Sequence, residues 1–548
     1  MGPPEPTAPA PQRPLRAELA LLAVLALSLA LRLWPVTWGI GLHWWDQWHH
    51  PDEPLITDYT RDFPGSFLTY DNYRYPVGYH HVVVVFNAFC RLAQAIVDGT
   101  PLTFPALSAD QWETLFTRLF TVLLGVTTVL FVYLATAQLT RCRRTALAAA
   151  FALNLLPLHV LNSAVATTDI PMALVTLWAV MLYQRRRAEG RLGSWTTTLA
   201  LGALLGVAFA VKYSAFFLLG GLGLLMLWHV AVRQRRPGTF VGGQVLIVTV
   251  CCFVFALLVP GLFFHLGQIA GGFRFETWRV YRLGHGPLDA ARAVIDCWGW
   301  AGTALVALSL VPAWRANRQA TAEILLFMAI FFLVSMRGII SRYVLWITPL
   351  AAVLIGLGVH DLLTAPGRGR TALRWAMSVA AAVALAVTLV CLQARFWWDS
   401  RVRTAFHIVE TYPPGTTVGN DLIGHYQRGQ PYIKVDLPPE YPSVNAFDGP
   451  DLLILAEHYM WRVREYWAHP ELLRVEDMAW WDERELATPE ELAFLRDVVE
   501  GRSEYRLVAT FEPPPLPVEF AGSTYQLYER EGPPILRPNS PPAQPSPE

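Results

Sequence analysis

The chain has 548 residues, of which 53% are hydrophobic and 16% charged, and its mean hydropathy is +0.33. That is too apolar for an ordinary soluble multidomain protein and implies a bilayer as solvent. The formal net charge of +0 leaves no basic footprint for nucleic acid.

The first residues, MGPPEPTAPAPQRP, and the last, EGPPILRPNSPPAQPSPE, are proline-rich and short of core-forming side chains. Residues 1–18 and 532–548 are therefore expected to be disordered arms. The first apolar run, 19–40, is longer than a signal-peptide core and lacks a small-residue cleavage site, so it is expected to remain as an anchor. Arg32, late in this run, is expected to snorkel outward. Further apolar runs at 115–139, 146–165, 171–183, 195–211, 215–232, 240–264, 294–313, 324–336, 343–360 and 373–394 bring the candidate spans to eleven. Tilt or merged boundaries can change that count by one or two.

The connecting segments test this reading. RCRR at 141–144, RRRAEGR at 185–191, RQRR at 233–236, WRANR at 314–318 and RGRTALR at 368–374 make every second loop basic. The positive-inside rule places those loops and the N-terminus in the cytoplasm, and an odd number of spans leaves the C-terminus outside. The outer face then carries a long first loop, 41–112, and a second, 265–293. Short outer turns fall near Thr168, Lys212 and Arg337. Segment 79–97 is apolar enough to embed, but a full span there would invert every later loop against its charge, so it is expected to lie along the outer interface. Trp44, Trp45 and Trp48 fit an aromatic belt. Gly202 and Gly206 have the spacing that lets helices approach closely. The six cysteines show no paired metal spacing and fit small membrane-core residues.

Between residues 396 and 531 the composition changes. The runs TTVGN, YIKVDL and DLLIL read as strands, HYMWRVREYW as a helix, and YRLVATF with TYQLYER as a hairpin-like pair, so a small extracytoplasmic α/β domain is expected. It would cover the membrane domain of 19–395 on the outer side.

The first outer loop carries His49-His50-Pro51-Asp52-Glu53-Pro54 close to the membrane surface. A carboxylate pair in such a place binds a cation or takes a proton from a substrate; the alternative is a solvated acidic turn between prolines. Other polar features follow in order: Tyr75-Pro76, Arg118-Leu119-Phe120, Thr168-Asp169-Ile170-Pro171, Phe209-Ala210-Val211-Lys212-Tyr213, and Ser341-Arg342-Tyr343 leading to Pro349.

In that order these motifs resemble the GT-C glycosyltransferases over roughly residues 15–395. The likeness is strongest to the bacterial family 39 type related to protein O-mannosyltransferases and the lipid A aminoarabinose transferase. The resemblance implies a polytopic α-helical core with a catalytic first outer loop and a polyprenyl-phosphate sugar as donor. It implies Asp52 as general base on an acceptor hydroxyl in an inverting displacement, assisted by Glu53, with Asp169 as a second acidic position. Asp169 equally suits a helix start, since proline follows.

The leaving lipid phosphate needs fixed cations. Arg342, whose fork suits phosphate, and Tyr343 are the candidates, with interfacial anchoring as the alternative. Lys212, one of two lysines in the chain, would pair with Asp169, hold the phosphate, or reach headgroups. Tyr75 and His285 join the donor-binding candidates. A divalent ion held by Glu53 and His50 stays open, although adjacent side chains diverge and no HExxH or CxxC pattern is present. Partners would be the lipid-linked donor, membrane lipids, and a protein, lipid or glycan acceptor. Arginine in place of lysine and the lack of a retention signal point to a bacterial plasma membrane. A multi-span transporter or lipid flippase is the main competing reading; internal repeats would favour it, and none is visible.

Overall fold

Within a bilayer the backbone must satisfy its own hydrogen bonds, so apolar runs this long become helices. The computed structural model describes residues 15–38, 53–66, 76–98, 107–233, 237–282, 286–335, 341–365, 367–421, 435, 437–457, 489–513 and 524–531. It divides into two units, the first holding residues 50–396 with the N-terminal segment and the second chiefly residues 397–514.

In the first unit the helices are α1 (Leu15–Leu33), α2 (Glu53–Arg61), α3 (Gly78–Asp98), α4 (Ala109–Thr140), α5 (Arg143–Leu153), α6 (Pro157–Asn162), α7 (Asp169–Ala188) and α8 (Trp195–Val211). After a single turn of 3-10 helix come α9 (Phe216–Arg233), α10 (Pro237–Leu258), α11 (Leu266–Arg282), α12 (Pro287–Ala316), α13 (Arg318–Ser335), α14 (Ser341–Val344), α15 (Thr348–Thr364) and α16 (Arg368–Trp397). Among the described residues, Gln111–Thr140, Val241–Leu258, Pro287–Ala316 and Arg368–Ala394 are each long and apolar enough to cross a membrane alone. Trp195–Val211, Tyr213–His229 and Thr348–Thr364 are shorter apolar helices. The chain is a polytopic helical membrane protein.

Three expected spans differ in detail. The run 19–40 is helical only to Leu33, and turns follow around Pro35. The run 146–165 is two helices, because Pro157 cannot donate to the preceding turn and restarts the helix from its first position. The run 343–360 is interrupted at residues 345–347 for the same reason, with Pro349 opening α15. A third break falls inside α12, where Gly299 takes φ 68° and ψ 154°. A side chain would strain that conformation, so glycine is required there.

Small residues set the closest helix contacts. A Cβ on Gly206 would stand 2.6 Å from Val254 Cβ, and one on Gly202 2.8 Å from Val250 Cβ, which locks α8 against α10 as the spacing predicted. Gly356 brings α15 equally close to α5, at 2.6 Å from Ala149 Cβ. Helix α3 turns Val85, Phe89, Leu92 and Ile96 outward at helical spacing and buries His80, Val83 and Asn87. Its inner face is tied to α4 by Asn87 Nδ2, which donates to Glu113 Oε1 at 2.6 Å.

The helix ends sort into two groups. At one, the basic turns meet: Arg187 on α7 pairs with Glu323 on α13 at 2.9 Å. At the other, the polar motifs meet, as described below.

The second unit begins with α17 (Ser400–Thr411) and holds a five-stranded sheet in the order β2-β1-β3-β5-β4. The strands are β1 (Val418–Asp421), β2 (Ser443–Asn445), β3 (Leu452–Ala456), β4 (Tyr505–Phe511) and β5 (Tyr525–Arg530), with α18 (Pro489–Val499) preceding β4. Strands β2, β1 and β3 run parallel, while β5 is antiparallel to both β3 and β4. TTVGN, DLLIL and the hairpin-like pair are thus strands as expected. The helix expected at HYMWRVREYW and most of YIKVDL lie outside the described residues, and β2 was not anticipated. All five side chains of β3 are buried, as a central strand covered on both faces requires.

Candidate active site

Two buried ion pairs organise the polar helix ends of the first unit. Glu53 opens α2, and both its oxygens face Arg118 on α4: Nε donates to Oε1 at 2.7 Å and Nη2 to Oε2 at 2.6 Å. This is the bidentate fork that guanidinium and carboxylate form most strongly. Oε1 also accepts from the Ala166 amide at 2.8 Å, beyond the end of α6. Arg118 Nη1 donates to the carbonyls of Val36, at 2.8 Å, and Trp38, where the chain leaves α1. Both side chains are fully buried. One arginine and one carboxylate thereby tie together α1, α2, α4 and the α6–α7 turn, with Glu53 directly following Asp52 in sequence.

Three residues beyond Ala166, Asp169 opens α7. Its Oδ1 accepts from Lys212 Nζ at 2.7 Å and from Trp346 Nε1 at 2.9 Å. Asp169 and Lys212 are both fully buried. The lysine ammonium lies 5.1 Å from the ring centroid of Tyr343 and 5.4 Å from that of Trp346, within cation–π range. Two expectations for Asp169 thus coincide: it starts a helix and faces a cation. The Asp169 amide is capped by Thr167 Oγ1 at 3.2 Å, which leaves the carboxylate free for Lys212. Trp346 is positioned in turn by the break before α15, where Thr348 Oγ1 accepts from Trp298 Nε1 at 2.9 Å. Arg342 is buried in α14, one residue before the fully buried Tyr343.

A third contact seats α2. Tyr59 Oη and His81 Nε2 are 2.6 Å apart, and His81 Nδ1 is 3.1 Å from the Leu258 carbonyl. Tyr59, Val77, Ala210, Tyr213, Val259 and Ile269 form one apolar cluster, placing α2 beside the α8 end that carries Lys212.

The donor chemistry of Glu53, the described member of the expected Glu53–His50 pair, does not fit a divalent metal. Glu53 spends both oxygens on Arg118 and an amide, and Asp169 spends one on an ammonium and an indole. The Arg118 guanidinium already occupies the position a metal would take at Glu53. Among the described residues no group of three or more His, Cys, Asp and Glu side chains comes together.

Asp52, His50, Tyr75 and His285 lie outside the described residues, as do Trp44, Trp45 and Trp48. The structure brings together Asp169, Lys212 and Tyr343, and ties Glu53 to the α6–α7 turn three residues before Asp169. Trp346 and the Ala166 amide escaped the sequence reading, the first because an indole in an apolar run looks like core, the second because backbone atoms carry no sequence signal. Arg118 stood in a quoted motif without a role. A turn free of other charges on either side of an arginine was its signal.

One expectation is overturned. Arg32 does not snorkel: it is fully buried, and its guanidinium donates to Asn154 Oδ1 at 2.7 Å and contacts His159 Nδ1 at 3.0 Å. The break between α5 and α6 supplies acceptors nearer than the headgroups.

This helical bundle shares its fold with a solved oligosaccharyltransferase. The family model described as dolichyl-phosphate-mannose-protein mannosyltransferase matches residues 100–266. The oligosaccharyltransferase of Archaeoglobus fulgidus in its apo form superposes with a TM-score of 0.50 at 14% identity, over 81% of this chain and 70% of that one. ArnT from Cupriavidus metallidurans bound to undecaprenyl phosphate aligns with a TM-score of 0.44 at 15% identity, over 82% of this chain and 94% of that one. No curated protein matches the sequence. The motif resemblance is thus supported by the family model over residues 100–266 and by the shared fold.

Proposed function

We propose that the chain is a glycosyltransferase that moves a sugar from a polyprenyl-phosphate donor to an acceptor on the extracytoplasmic face, where the polar helix ends would lie by the charge of the opposite loops. In one inverting step the acceptor oxygen bonds to the anomeric carbon as the carbon–phosphate-oxygen bond breaks. The acceptor proton passes to Asp52, and the lipid phosphate leaves with the electron pair. Arg342 and Tyr343 receive that phosphate, with Lys212 as a second positive centre beside the same tyrosine, and Tyr75 and His285 complete the donor side.

The observation that carries this reading is the treatment of Glu53. A fully buried fork from Arg118 and the Ala166 amide hold the residue next to Asp52 at the same helix ends as Asp169 and Lys212. Glu53 is then a positioning residue that holds Asp52 in place. Support for the donor class comes from the mannosyltransferase family model.

The test is mass spectrometry of acceptors incubated with purified protein and a panel of polyprenyl-phosphate sugars, which should show a mass gain of one glycosyl residue. Asp52→Asn should abolish that gain while donor binding persists. Transport of intact donor across liposomes without transfer, or full activity of Asp52→Asn, would defeat the proposal.

A further inference from the structure

Helix α2 is nine residues long, too short to hold a direction by itself. The fork between Glu53 and Arg118 fixes its first residue. One fixed point leaves a helix free to swing, and a swing there turns the peptide that joins Glu53 to Asp52. The tie that stops it lies further along, at the buried side chain of Tyr59.

The partners of His81 fix its tautomer. The Leu258 carbonyl, 3.1 Å from Nδ1, can only accept, so Nδ1 carries the proton. Nε2 is then the bare nitrogen of the neutral ring and accepts from the Tyr59 hydroxyl at 2.6 Å. The sequence prepares this bridge at both ends. Pro260 has no amide hydrogen, and the Leu262 amide turns to the Val259 carbonyl at 2.9 Å, so α10 ends with the Leu258 carbonyl left for His81. Gly78, in the same turn of α3 as His81, lets that helix close on α8: a Cβ there would stand 2.6 Å from Ala210 Cβ. Ala210 precedes Lys212 by two residues and shares an apolar cluster with Tyr59. His81 thus joins α2 to the end of α10, beside the end of α8 that carries Lys212.

We propose that His81 is a positioning residue for sugar transfer: through the Tyr59 hydroxyl it clamps α2, and with it the Glu53–Asp52 peptide, against the end of α8 that carries Lys212. The role rests on Asp52 serving as the general base. His81 touches no substrate in it and acts only through Tyr59.

The test takes two readouts on the purified full chain, in wild type, Tyr59→Phe, His81→Asn and the double variant. Tyr59→Phe removes only a hydroxyl, and His81→Asn keeps an N–H donor for Leu258 while removing the acceptor, so both should fold. In hydrogen–deuterium exchange, residues 53–66 should exchange roughly two- to tenfold faster in each variant, as loss of one hydrogen bond implies, with 111–140 unchanged. In the transfer assay kcat should fall by a similar factor while the donor KM holds, and the double variant should lose no more than either single one. Unchanged exchange in 53–66, or an equal rise in 111–140, would overturn the clamp whether or not transfer is found. Faster exchange with wild-type kcat, or additive losses in the double variant, would overturn the positioning role. A wild-type chain that transfers no sugar would sink the assignment of Asp52 and the positioning role with it, while the exchange would still decide the clamp.

Discussion

Lys212 Nζ and Asp169 Oδ1 stand 2.7 Å apart with both side chains fully buried, 43 residues apart in sequence. Neither charge is tolerable there alone. Lys212→Met should strand the carboxylate and cost about 3–5 kcal/mol, seen as a lowered unfolding midpoint together with lost transfer. Adding Asp169→Asn should restore the midpoint, since both partners become neutral, but not transfer. A double variant as unstable as the single one would show that the two residues are not energetically coupled.

Glu53→Gln breaks the fork with Arg118 and should lower transfer by displacing Asp52. If Glu53 only positions, the acidic limb of the pH–rate profile stays where it is in wild type while the rate falls. Disappearance of that limb would make Glu53 the base. Arg118→Lys keeps the charge but not the fork, and should retain part of the activity that Arg118→Met loses.

Chelation should leave transfer unchanged, because Arg118 and Lys212 already neutralise Glu53 and Asp169. Activity lost in EDTA and recovered with a divalent ion would mean that Asp52 holds a metal with partners other than these.

Gly206→Leu should separate α8 from α10. Its Cβ would meet Val254 Cβ at 2.6 Å and the Cys251 carbonyl at 2.7 Å, and such overpacking costs about 1–3 kcal/mol or more. Val254→Ala should recover part of the loss. Gly243→Ala is the control, since nothing lies within 4 Å of its added methyl. Equal midpoints for the two glycine variants would contradict the close approach.

In the second unit burial pushes the Tyr505 phenol up to about 12 from a normal value of 10.0. Its hydroxyl donates to the Pro450 carbonyl at 2.8 Å. The raised value means that the folded form keeps a proton the unfolded form releases. The contribution is full below about pH 10 and is lost as pH rises through about 12. Circular dichroism of urea unfolding should show stability falling over that interval, with a smaller fall in Tyr505→Phe.

Sequence by itself determined the helical membrane architecture, since hydrophobic runs and alternating basic loops are local and additive. It also marked Glu53, Asp169, Lys212 and Tyr343, because an ionisable or polar side chain beside an apolar run is expensive wherever it lies. Partner choice was decided only by the tertiary structure. Arg118 reaches Glu53 across 65 residues, Trp346 reaches Asp169 across 177, and Arg32 turns inward to Asn154 rather than out to the headgroups. Hydropathy records what each charge costs, but only helix packing brings the opposite charge or the acceptor within reach, and three helix breaks that fix this packing depend on where Pro157, Pro349 and Gly299 meet their neighbours.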